Sequence, residues 1–198
     1  MTDSAAATEL RAFRNALRSR LIAAREALPA DIHAQLSRKL ERHLGELLDA
    51  LNPAMLAFCW PFRGEFDART LVSGRLPGGL RACLPVVMDN DSPLEFREWT
   101  PHSEMIEDRY GIHIPARGEA LRPDTILMPL NGFDEAGYRL GYGGGFFDRS
   151  LAALDPRPRA VGIGFEGLRA DTIRPQPYDL PMDWLVTETG ARQPRNIR

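Results

Sequence analysis

Through the first fifty positions the apolar residues recur at helical spacing. Leu10, Phe13, Leu17, Leu21 and Ala24 share one face of residues 9–27, with no Gly or Pro before Pro29, and predict an amphipathic helix. Ile32, Leu36, Leu40, Leu44, Leu47 and Leu51 do the same over residues 31–51 and predict a second. Beyond Pro53 the period changes. The short apolar runs "AMLAFCW", "RACLPVV", "LEFREW", "TILMPL", "AVGIGF" and "DWLVTE" are separated by Pro- and Gly-bearing segments and read as strands. Several are apolar almost throughout, as in a sheet covered on both faces, and helical stretches at 68–73 and 146–154 alternate with them. The pattern predicts an α/β fold with helices on both sides of the sheet, in one domain over residues 1–198, ending in a frayed tail at 190–198.

Composition narrows the function classes. Charged residues are 26% and apolar ones 43% of 198 residues, which is ordinary globular usage. A formal net charge of −2 gives no general attraction to nucleic acid or anionic lipid, so any bound anion must be held by a local cluster. "MTDSAAATEL" lacks the basic start and apolar core of a signal peptide, and no segment has the length of a membrane span. Cys59 and Cys83, each inside an apolar run, read as buried free thiols of a cytoplasmic protein. Along the edge of the first helix Arg11, Arg14, Arg18 and Arg25 form a stripe. Its general reading is a solvated basic face, with Arg14, nearest the buried side, as the one placed to reach a cleft.

The chemistry concentrates in "RLGYGGGFFDRSL". It lies between the strand "TILMPL" and the helix predicted from Phe146, the position outside a strand's carboxyl end where α/β proteins bind ligands. Bare glycines let backbone N–H groups approach an anion, and a helix N-terminus favours it further. The segment is neither a P-loop nor the dinucleotide fingerprint, since Phe146 stands where the third glycine would be. Asp148 suits either the helix dipole or a metal ion. "WPFRGEFD" sets Trp60, Arg63, Glu65 and Asp67 at another strand end, either as a ring and a carboxylate for a flat heteroaromatic ligand or as a polar turn capped by Asp67. Asp179 and Asp183 precede the last strand, and Asp179 is the better second metal carboxylate. No histidine pair has metal-ligand spacing, and no nucleophile elbow occurs.

"NGFDEAGYRLGYGGGFFDRSL" closely resembles the signature of the 5-formyltetrahydrofolate cyclo-ligases, and the likeness runs from the arginine helix through "GEFD", "LPVV" and "TILMPLNGFD" to "YDLPMDWLVTE". The resemblance implies a three-layer α/β/α fold of the NagB/RpiA/CoA-transferase kind around a largely parallel sheet. It also implies an ATP- and Mg2+-dependent enzyme, a monomer or weak dimer, that converts 5-formyltetrahydrofolate to 5,10-methenyltetrahydrofolate. In that likeness ATP meets Arg14 and the loop Arg139, Leu140, Gly141, Tyr142, Gly143, Gly144, Gly145, Phe146 and Phe147. The folate meets Arg14, Trp60, Glu65, Tyr142, Gly143, Gly144, Gly145 and Phe146, while Asp148 and Asp179 hold Mg2+. The sequence departs from the family pattern where Leu10 replaces a lysine, with Arg11 beside it as the substitute on the ATP side. It departs again where Phe146 and Phe147 replace a tyrosine pair, and where Ile112 replaces an aromatic residue. A paralogue that binds folate or nucleotide without turnover is the alternative.

Overall fold

The computed structural model describes residues 2–195. Two helices open the chain, α1 (Thr2–Glu26) and α2 (Ala30–Leu51). They are followed by β1 (Met55–Ala57), α3 (Arg69–Ser73), β2 (Arg81–Val86) and β3 (Glu95–Trp99). A hairpin of β4 (Met105–Glu107) and β5 (His113–Pro115) precedes β6 (Thr125–Pro129). Next come a short ribbon of β7 (Gly132–Phe133) and β8 (Arg139–Leu140), α4 (Phe146–Ala153), β9 (Arg159–Ile163), β10 (Trp184–Thr187) and β11 (Gly190–Arg192).

Seven strands form one sheet in the order β11-β10-β9-β6-β1-β2-β3. The five inner strands are parallel, and both edges are antiparallel. Helices flank this mainly parallel sheet, as the alternation of periods predicts. The inner strands are buried nearly end to end: Ile126, Leu127 and Met128 of β6 and Ala160 and Val161 of β9 are at most 1% exposed. That accounts for their unbroken apolar sequences.

Local differences from the sequence pattern have local causes. Ala24, expected on the apolar face of α1, is exposed, whereas Ile22 and Arg25 are buried; Arg25 turns inward because it finds polar partners there. The frayed tail predicted from residue 190 begins instead with β11, which pairs with β10 from Leu185↔Arg192 to Thr187↔Gly190. Gly190, at φ 146°, makes the tight return that a side chain would resist. Residues 196–198 of that tail lie outside the described residues.

Chain order places the site. From β1 the chain moves to β2 on one side, and β6 then returns on the other side of β1. The connections leaving β1 and β6 therefore diverge, opening a crevice beyond their carboxyl ends.

Candidate active site

That crevice is a cleft of about 1910 Å³ lined by the ends of β1, β2 and β6, the glycine loop, α1 and the segment before β10. Pockets for a single drug-sized ligand run to roughly 1,000 Å³, so this one has room for two.

One wall is the loop after β1. Arg63 and Gly64 both take positive φ, 51° and 72°, and the resulting turn folds Glu65 back so that its Oε2 accepts the Phe62 N–H at 3.1 Å. Arg63 ties this turn to α1 through both oxygens of Glu26, at 2.7 and 2.8 Å. The other Glu65 oxygen, Oε1, accepts the Tyr142 hydroxyl at 2.7 Å, and Arg25 stands 3.7 Å away. Burial pushes the Glu65 carboxyl above the usual glutamate range, against the pull of Tyr142 and Arg25. Burial, followed by the Glu65 charge, pushes the Tyr142 hydroxyl up as well. Trp60 lines the same wall, stacked on His113 with centroids 5.2 Å apart and with the Arg69 guanidinium 4.2 Å from its ring. Asp67 accepts the Arg69 N–H and pairs with its side chain, so it secures the start of α3.

The facing wall is the glycine loop, carried out of the sheet by the β7–β8 ribbon. Gly143 and Gly145 have φ of 101° and 66°, conformations that favour glycine, and Gly145 leads into α4 with no side-chain cap. Arg139, at its base, is buried. Its guanidinium faces Asp148 at 3.2 Å and lies 5.5 Å from the Phe147 ring. Asp148 also accepts the Leu180 N–H at 3.1 Å, which brings it against the residue after Asp179. Arg14 reaches from α1 across the cleft floor to the Asp179 carboxylate and to the carbonyls of Ile173 and Arg174. Arg14, Glu65, Asp148 and Asp179 thus border one cleft, with Leu10 and the exposed Arg11 nearer its rim. Asp183 stays outside this group, accepting the Ala160 N–H at 2.7 Å and pairing with Arg157.

Three polar residues of this region were not singled out by sequence. Arg18 donates to the Gly141 carbonyl at 2.6 Å. Arg25, expected in solvent, bonds the Arg63 and Leu130 carbonyls, Asn131 Oδ1 and the Tyr142 hydroxyl. Asn131, fully buried just after β6, keeps an unpartnered Nδ2. The basic stripe on α1 was the available signal for the arginines, but apart from the Arg18 bond to Asn15 their partners lie 38 or more residues away, and no local pattern announces them.

The profile of the 5-formyltetrahydrofolate cyclo-ligase family matches residues 11–188. The chain belongs to this family. A 5-formyltetrahydrofolate cyclo-ligase of Escherichia coli is 32% identical over 133 residues, 64% of this chain and 73% of that one. One from Haemophilus influenzae is 25% identical over 176 residues, 85% and 94% of the two chains. The solved structure of Aquifex aeolicus 5,10-methenyltetrahydrofolate synthetase superposes with a TM-score of 0.79 at 28% identity, covering 93% of this chain and 94% of that one. In this cyclo-ligase family member the glycine loop, the arginine helix and the "YDLPMD" segment meet at the switch point of the sheet.

Proposed function

We propose that the protein closes 5-formyltetrahydrofolate to 5,10-methenyltetrahydrofolate, using ATP and Mg2+ and releasing ADP and phosphate. The observation that carries this reading is the pairing of two unlike walls across one cleft. A glycine loop with backbone donors and arginines faces a buried carboxylate beside aromatic rings. The first wall suits a polyphosphate and the second a pterin.

In the reaction the formyl oxygen attacks the γ-phosphorus of ATP and the bond to ADP breaks. N10 then bonds to the activated formyl carbon, the carbon–oxygen bond to phosphate breaks, and the N10 proton departs with the phosphate. These steps need alignment and offset charge more than a protein nucleophile. The chain's thiols agree with that. Burial pushes both up, Cys83 to about 12, which leaves little nucleophilic thiolate at neutral pH.

Glu65 is the acceptor for pterin N–H groups, kept in place by Tyr142 and the Phe62 N–H. Arg14 and residues 139–147 contact ATP, with Arg139 acting chiefly through Asp148. Mg2+ binds through one or two carboxylates, waters and substrate phosphates rather than an all-protein cage. The described residues contain no cluster of three or more His, Cys, Asp or Glu built for a metal. Asp148 and Asp179, joined through Leu180 and each balanced by an arginine, fit an ion shared with ATP. When bound, it supplies neutralisation of charge on the transferred phosphoryl group.

The test is to mix purified protein with ATP, Mg2+ and 5-formyltetrahydrofolate and follow the absorbance of the methenyl product. An ATP-dependent rise is expected; its absence in well-buffered solution overturns the reading.

A further inference from the structure

The arginines that approach the cleft divide into two kinds. Arg14, Arg25 and Arg139 each face a carboxylate: Asp179, Glu65 and Asp148. Arg174, also at the cleft, pairs with Glu9. Arg11, Arg18 and Arg149 have no carboxylate ion pair among the described residues, and of these Arg11 is exposed whereas Arg18 and Arg149 are partly withdrawn from solvent. Arg18 spends Nε on the Gly141 carbonyl and Nη1 on Asn15, leaving Nη2 toward the loop. Arg149 donates only Nη2, to the Asn90 carbonyl, and its Nε is buried without a partner.

Their position is as telling as their lack of a carboxylate partner. A Cβ placed on Gly143 would lie 3.6 Å from Arg18 Nη2, and one on Gly145 would lie 2.9 Å from Arg149 Nη1. The two guanidinium groups therefore bracket a three-glycine segment. Arg149 also sits in the first turn of α4, where the helix dipole disfavours a cation. Arg18 is held below the usual arginine range by burial and by the neighbouring Arg14 charge. Both placements disfavour the cation electrostatically, offset only in part for Arg149 by the Phe146 ring 5.0 Å from its guanidinium carbon, and an anion between the two would relieve both.

We infer that Arg18 and Arg149 are the two arms of a polyphosphate clamp closing over Gly143–Gly145, and that they supply the positive charge missing at Leu10. Lys39 is the chain's single lysine, and it is exposed on α2 away from the cleft, so the charge must come from arginine. The clamp takes the oxygens of a Mg2+-bound triphosphate, whose residual negative charge is offset by these two guanidiniums that no carboxylate neutralises. This assignment rests on the ATP reading for the identity of the ligand, but the anion site itself is argued from geometry and charge.

Calorimetric titration of Arg18→Gln, Arg149→Gln and Arg20→Gln with MgATP, and separately with Mg2+-tripolyphosphate, tests it. Arg20 is exposed on α1 outside the cleft, so its variant removes the same charge elsewhere. We expect each clamp variant to weaken MgATP binding about tenfold or more, Arg20→Gln to leave it within about twofold, and Arg18→Lys to retain more affinity than Arg18→Gln. Circular dichroism checks folding; if Arg18→Gln is unfolded, Arg18→Lys and Arg149→Gln carry the test. Wild-type protein that binds MgATP, with no loss in the clamp variants, overturns the clamp and leaves the proposed function standing. Wild-type protein that binds tripolyphosphate but not MgATP, with losses in both variants, supports the clamp and overturns the ATP reading. Binding of neither ligand overturns both.

Discussion

Glu65 shows how a single buried group ties stability to recognition. Its carboxyl is raised chiefly by burial, so the folded protein holds that proton more tightly than the unfolded chain does. The sign follows. Below the unfolded glutamate value the two states are equally protonated at this site, and as pH rises toward the folded value wild type loses stability relative to a variant that cannot ionise. Glu65→Gln should therefore gain on wild type in thermal midpoint as pH increases through that window, while losing affinity for 5-formyltetrahydrofolate. A midpoint difference independent of pH would show that Glu65 titrates normally. Asp148 faces another balance, since it offsets the buried Arg139 and accepts the Leu180 N–H. Asp148→Asn keeps an oxygen for that bond but removes the charge. Turnover should fall at least about tenfold at limiting Mg2+, and unchanged turnover would reduce Asp148 to an ion-pair and helix-dipole role.

Among the elements, α1 does more than cover the sheet. Arg25 reaches the loop after β1, the segment after β6 and the glycine loop at once, so these three parts of the site share one guanidinium. Arg25→Ala would leave the Glu65 charge and Asn131 Oδ1 buried without that partner. Breaking such a buried pair from one side costs about 3–5 kcal/mol, and urea unfolding should register it; a loss below about 1 kcal/mol would mean the loops hold themselves. The elements also differ in how openly the sequence declares them. The helical period of α1 and α2 and the unbroken apolar strands β6 and β9 were legible, because burial on one face or on both writes itself into the pattern. The β4–β5 hairpin and the two-residue ribbon β7–β8 were not, being too short to show a period. Nor was the inward turn of Arg25, because a basic stripe looks the same whether its partners are water or residues 105 positions away.

At the scale of the molecule, the cleft is a consequence of topology. The reversal between β1 and β6 opens it, and the two loops carrying the strongest sequence motifs end on its opposite sides. This is why the glycine loop, "GEFD" and "YDLPMD" could be singled out separately in the sequence while their convergence needed the fold. Tyr110, Tyr142 and Tyr178 expose ring surface at this cleft, Tyr142 while its hydroxyl is withdrawn against the buried Glu65, which favours flat ligands lying against it. Its volume, about 1910 Å³, leads to the final prediction. If ATP and folate occupy separate halves, each stabilises the native state on its own. At about 100 times its dissociation constant each ligand adds about 2.7 kcal/mol, or about 5–10 °C in midpoint for a chain of this size. A non-hydrolysable ATP analogue with Mg2+, and 5-formyltetrahydrofolate, should thus each raise the midpoint, and together should raise it by about the sum. Ligands competing for one half of the cleft would instead give a combined shift only about 0.4 kcal/mol, or RT ln 2, above a single one, and that outcome would contradict a two-ligand site.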